Sequence, residues 1–307
     1  MNKFLKEGTL LCNGRYMIIK PFYCTSTAIY YKAKLANVVA KVEEAYAEYS
    51  QYIYVTIKET FYGRDNSTRI DDNRVAFKNM QYHENAIVLS EREGELLRGL
   101  HHNQIINIYN SFEENGTVYL VEDLFKLNLL DVVLNESLKS EFIAFKILKE
   151  IASAITYLHQ NSLLLLSLNP GEIVSTDRSK YQICNLYNVR EIGEEKYAGK
   201  LPYWNSPIFS APESHKRGTN MVTPASDVYS LGAILYFIIN KKCPPDALAL
   251  INEDLNFSSD TSDSIRNAIQ KAMRIKINER PKSVSEFLSL IDEETLRKQK
   301  YDNIITQ

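Results

Sequence analysis

Three charged residues among the first 125 positions sit where a charge would be either costly or useful. Lys58 closes the run Val55-Thr-Ile-Lys58, which is β-branched and reads as the end of a strand. Thirty-five residues later Glu93 falls in residues 85–100, where Ile87, Leu96, Leu97 and Leu100 give a helical apolar face. Glu122 follows the apolar run at 118–121. If it is buried it must be paired or protonated, because an isolated buried charge is very costly; the nearest candidate partner is Lys58. Taken alone, Lys58 reads as a solvated strand lysine, and only its company makes it the cation of a site.

The elements that must hold these residues change character along the chain. Short β-branched and tyrosine-rich runs at 16–20, 29–33, 52–57 and 118–121 read as strands of an antiparallel sheet. Between the second and third, Leu35, Val38, Val42, Ala45 and Tyr49 have helical spacing and suggest a small inserted helix. From about Lys126 the pattern becomes helical. Ser137 opens a helix carrying Phe142, Ile147, Leu148, Ile151, Ile155 and Leu158, Ser226 caps another that runs through Ile239, and residues 262–275 and 283–291 supply two more. A β-rich front and an α-rich back make an α+β, two-lobed chain: residues 1–123, with an insert at 35–50 and a long segment at 63–84, then 124–293, then a solvated tail at 294–307.

Composition excludes several classes. The chain has 307 residues, 45% hydrophobic and 24% charged, as in ordinary globular proteins. Its 36 basic against 38 acidic residues leave a net charge of -2, so no field of one sign favours nucleic acid. Cys12, Cys24, Cys184 and Cys243 never form C-x-x-C and read as buried thiols in a reducing compartment. Residues 1–16 lack a signal-like apolar run, and the longest such run, 231–239, is too short for a membrane span; a cytoplasmic setting is expected. Glycine is scarce, 11 of 307, where usage averages about 7%.

Order then adds to spacing. Lys58, Glu93, Leu100-His-His-Asn-Gln-Ile-Ile106 and the segment 113–123 are followed by Tyr157-Leu-His159, Leu168-Asn-Pro-Gly-Glu-Ile-Val174, Phe209-Ser-Ala-Pro-Glu213, Ser226-Asp-Val-Tyr-Ser-Leu-Gly232 and Asn278-Glu-Arg-Pro281. Over residues 14–292 this series resembles the protein-kinase family, and Lys242-Cys-Pro-Pro-Asp-Ala247 resembles its bacterial Ser/Thr branch. The resemblance implies a bilobal fold, an antiparallel sheet with one main helix preceding a mostly helical lobe. It implies that Lys58 pairs with Glu93 and reaches nucleotide phosphates, that Glu213 and Arg280 form a buried ion pair, and that Asp227 caps a helix start and ties down the catalytic loop.

At the chemical positions the resemblance breaks. The family's His-Arg-Asp reads Leu165-Leu166-Ser167, so the base is a serine whose hydroxyl cannot accept a proton at neutral pH. Asn169 stands at the lysine position, Glu172 at the second magnesium position, and Asn185-Leu-Tyr187 replaces Asp-Phe-Gly. Neutral Asn185 is a poor ligand for so hard a cation as magnesium. The glycine loop reads Tyr23-Cys-Thr-Ser-Thr-Ala28, with Tyr23, Thr25 and Ala28 at the glycine positions. Tyr30, Thr56 and Glu122 take the adenine-pocket positions, Glu122 as gatekeeper. The family's internal hydrophobic column reads Leu97, Ile108, Leu165 and Leu186, and Leu166 leaves no arginine to pair with a phosphorylated loop.

The expectation is a pseudokinase acting as a scaffold or allosteric regulator for another protein, without metal and with no cofactor beyond, at most, weak ATP binding without magnesium. Two alternatives stay open: a residual or atypical kinase or other phosphoryl or nucleotidyl transferase that uses Glu172 and Asn185 for metal, and an ATP sensor without turnover. The candidate partner surfaces are residues 35–49, with Tyr46 and Tyr49, and residues 63–84; in each the plainer reading is that the aromatics pack on the sheet. Oligomeric state is not legible.

Overall fold

A computed structural model describes residues 3–36, 54–62, 66–135, 140–193, 206–215 and 222–298. The chain divides into two compact units, residues 1–101 with 106–126, and residues 102–105 with 127–307. The boundary thus falls at Lys126, three residues beyond the expected one, and four residues of the first stretch join the second unit.

In the N-terminal unit six strands form one antiparallel sheet in the order β1 (Leu10–Leu11), β2 (Tyr16–Cys24), β3 (Ala28–Leu35), β4 (Tyr54–Thr60), β8 (Thr117–Glu122), β7 (Ile108–Glu114). Every residue of β8 and all but the first of β4 are buried, so these central strands are covered on both faces. One face packs Leu11, Ile18, Tyr31, Ile57 and Tyr119 into a core with Leu5 and Val75. A separate hairpin, β5 (Ser67–Ile70) and β6 (Arg74–Phe77), leads into helix α1 (Met80–Gly99), which starts five residues before the expected Asn85 because Asn79 caps it by accepting the Gln81 N–H at 2.8 Å. The proposed helix at 35–49 lies outside the described residues apart from Leu35, which ends β3, and Ala36.

The C-terminal unit is helical around α3 (Glu141–Gln160), α4 (Pro224–Asn240), α5 (Asp263–Ala272) and α6 (Val284–Leu288), with α2 (Leu129–Asn135) and short strand pairs β9 (Leu127–Asn128) to β13 (Arg190–Glu191) beside them. Helix α3 has Ser140 at its N-cap position, with no capping bond from that side chain among the described residues, and Ser137 lies outside them. Thr223, not Ser226, is the cap of α4; Ser226 is the third helical residue and returns a bond to the Thr223 N–H at 3.2 Å, closing a capping box. Gly232 lets α4 and α5 touch, since a Cβ there would lie 2.6 Å from that of Ala272. The expected tail begins differently: residues 293–298 are helical and Leu296 is buried. Among the described residues no helix is long and apolar enough to cross a membrane.

Candidate functional site

Strand β4 delivers Lys58 to the face that α1 covers. Its ammonium donates to both Glu93 carboxylate oxygens at 2.7 Å, and both side chains are buried. Helix α1 sits close because Thr60 and Ser90 hydroxyls bond at 2.6 Å and because Gly94 leaves room where a Cβ would stand 3.1 Å from Leu120 Cδ2. Fork-like charge pairing of this kind offsets desolvation only when the geometry is good, as it is here.

Glu122 lies across the sheet ladder from Thr56 and is 0% exposed. Lys58, engaged with Glu93, makes no hydrogen bond to it; neither Glu122 oxygen nor the Thr56 hydroxyl has a hydrogen-bond partner among the described residues. Burial pushes the Glu122 carboxyl up to about 8, the Lys58 charge draws it down, and Glu93 and Asp123 raise it further. Of the two outcomes open to a buried carboxyl, Glu122 takes protonation.

The turn between β2 and β3 satisfies itself. Thr25 Oγ1 accepts from the N–H groups of Thr27 at 3.3 Å and Ala28 at 3.0 Å, and the Thr25 N–H donates to the Ala28 carbonyl at 2.9 Å. Beside it Tyr23, Tyr30 and Phe125 form a ring cluster, with centroids 5.4 Å apart for Tyr23–Tyr30 and 5.6 Å for Tyr30–Phe125 in an edge-on arrangement. Phe125 was not among the expected site residues. Its position just past a strand end, between Leu124 and Lys126, carries no periodic signal.

In the C-terminal unit, Asp227 at the start of α4 holds the loop after β10 (Leu163–Leu164). Its carboxylate accepts from the N–H groups of Leu165 at 3.0 Å and Leu166 at 2.7 Å and meets His159 Nε2 at 2.8 Å. Leu166 has φ 62°, a left-handed backbone that costs a leucine about 1–2 kcal/mol. The expected loop tether is present, while capping of the helix belongs to Thr223. Ser167 follows, buried, with no carboxylate in its place. Asn169 caps the short turn Pro170–Glu172 by accepting the Gly171 N–H at 2.9 Å.

Glu172 and Asn185 are brought together. The Asn185 amide donates to Glu172 Oε1 at 2.6 Å, and its Oδ1 accepts the Tyr187 N–H at 3.0 Å. Farther on, Arg280 forks onto Glu213 at 2.7 and 3.0 Å, and the Ser226 hydroxyl adds a bond at 2.7 Å. Burial alone would raise the Glu213 carboxyl, but these donors outweigh it and hold it below its usual range. Of the four column residues, Leu97, Leu165 and Leu186 are buried and Ile108 half-buried. Among the described residues no group of three metal-binding side chains occurs.

Residues 65–302 match the protein kinase domain model. The chain belongs to the protein kinase family. The matched span of this kinase domain begins after the turn at 23–28 and after Lys58, and contains Glu93 and every C-terminal site position. Similar proteins include a probable serine/threonine-protein kinase zyg-1 of Caenorhabditis briggsae, 29% identical over half of this chain and 22% of that protein. Calcium-dependent protein kinase 4 of Plasmodium falciparum is 30% identical over half of this chain and 29% of its own length. The chain thus spans under a third of these two relatives. The solved apo form of PpkA-294 superposes with a TM-score of 0.73 over 95% of this chain and all of its own at 19% identity, a likeness of fold.

Proposed function

We propose that this kinase domain has lost phosphotransfer and works as a pseudokinase, a protein-binding scaffold or allosteric regulator in a cytoplasmic setting. The observation that carries the reading is the bond between Asn185 and Glu172. The two positions that hold magnesium in the family are bonded to each other, and the one amide oxygen able to face a metal accepts a backbone N–H. Three further features agree. Ser167 offers no base near neutral pH, and loss of a general base typically costs 10²- to 10⁴-fold. The N–H groups of residues 25, 27 and 28 are bonded within their own turn and not directed outward. Rings of Tyr23, Tyr30 and Phe125 crowd where adenine would lie in the family. These residues do not fit magnesium-bound ATP.

The rival reading is an active, atypical kinase, favoured by the intact Lys58–Glu93 pair and by the kinases among its relatives. A third is an ATP sensor without turnover, which the same pair would serve. Thermal-shift titration with ATP plus magnesium or manganese, beside a radiolabelled-ATP transfer assay, separates them. The expected result is neither shift nor transfer. Transfer that Lys58→Ala abolishes overturns the proposal, and a shift without transfer installs the sensor.

A further inference from the structure

Lys58 and Glu59 are neighbours on β4 and point to opposite faces of the sheet, and each makes a buried ion pair. Lys58 takes Glu93 on α1; Glu59 takes Arg69 of the β5–β6 hairpin at 2.5 Å, with both side chains almost wholly buried. The second pair is saturated. Glu59 also accepts the Tyr31 hydroxyl at 2.9 Å and the Tyr119 hydroxyl at 2.8 Å, while Arg69 donates to the Lys3 carbonyl at 3.1 Å and the Asn73 carbonyl at 2.6 Å. The hairpin it anchors continues through two residues into α1. There Phe77 packs on His83 at 4.8 Å, His83 Nε2 lies 3.3 Å from the Gly116 carbonyl, and the Val75 N–H donates to the Asn115 carbonyl at 2.8 Å.

We propose that the Arg69–Glu59 pair is an internal latch: by fastening the hairpin to β4 it holds the start of α1, and so keeps Lys58 and Glu93 together without any ligand. Arg69 and Glu59 are positioning residues acting through the hairpin. The latch holds whether or not the domain transfers phosphate, so it stands apart from the proposed function. Its physical basis is leverage at two points of one helix. Hairpin contacts fix the first turn, the Thr60–Ser90 bond and Gly94 fix the middle, and the Lys58–Glu93 pair lies beside the latter. Freed at its first turn, the helix keeps its central contacts and, near its end, the bond from Arg98 to the Ser111 hydroxyl at 2.7 Å.

Native-state hydrogen exchange on the unaltered chain is the first test. A latch makes the hairpin amides of Val75 and Lys78, bonded to the Asn115 and Asn66 carbonyls, and the helix amides 90–94 open as one cooperative unit, with rates agreeing within about threefold. Hairpin amides that exchange about tenfold or more faster than those of α1 overturn the idea, because the hairpin then opens while the helix stays. The second test is the neutral pair Glu59→Gln with Arg69→Met, which avoids stranding a buried charge. Exchange at 90–94 should rise about tenfold and the Lys58 amine should react faster with trinitrobenzenesulfonate, while amides of α3 and α4 hold their rates. Faster exchange confined to the hairpin, with unchanged Lys58 reactivity, reduces it to a cover and sinks the latch.

Discussion

Two pairs in the C-terminal unit, Glu213–Arg280 and Glu172–Asn185, each set a glutamate against a nitrogen donor but are built in opposite ways. The first keeps both ions, closes a bidentate fork and recruits Ser226. The second has one ion and one amide, bonded through a single contact at 2.6 Å. The first joins the segment before α4 to the chain beyond α5, a task for any folded member of the family. The second occupies positions whose family task is to hold a metal that folding does not require. What differs is the family task of each pair, to hold the scaffold or to hold a metal, and the scaffold pair is the one that keeps both family residues.

That contrast can be broken most forcefully at Arg280. Replacing it by methionine leaves Glu213 buried without its cation and should cost about 3–5 kcal/mol, read by chemical denaturation. A loss under about 1 kcal/mol would mean the fork is ornamental and the contrast false. Next is Glu122, an acidic group of neither sort. Its folded carboxyl titrates near 8 against 4.5 when unfolded, so the native state holds more protons between those values and stability falls as pH rises through them. The wild-type chain should lose about 2–4 kcal/mol between pH 5 and pH 8.5, counting about 1.36 kcal/mol per unit and discounting for relaxation. Glu122→Gln should flatten this dependence, and a profile of equal slope in the variant would show that Glu122 is ionised or paired. The smallest effect is expected at the metal positions. Asn185→Asp sets a carboxylate against Glu172 and should cost about 1–2 kcal/mol at pH 7, easing below pH 5. Full recovery on adding millimolar magnesium would show that the pair is still a metal site and that its amide is a shallow change.

Legibility followed the kind of signal each residue carries. Lys58, Glu93, Glu213, Asp227 and Arg280 stand in ordered segments of fixed spacing, so their positions are legible in the sequence alone; their pairing came from the family likeness. Glu59 and Arg69 could not be read, because a charged residue next to Lys58 on a strand resembles an ordinary solvated one until the hairpin covers that face. Within the segment 63–84, Val75 joins the core and Phe77 packs against it, contacts that no periodic pattern in the sequence announces. Likewise the Thr25 turn hides in the letters. Three absent glycines are visible in the sequence, but only the structure gives the hydroxyl that consumes the freed N–H groups.

The Asn185–Glu172 bond also bears on how the family's own pair could be restored at these two positions. Two substitutions separate it from the family's pair, and neither is neutral when made first. Asn185→Asp sets two carboxylates face to face, and Glu172→Asn withdraws the acceptor by one carbon from an amide that reaches it at 2.6 Å. Either single change toward the family's pair therefore lowers stability when made first, so the bond works as a ratchet that resists its own replacement.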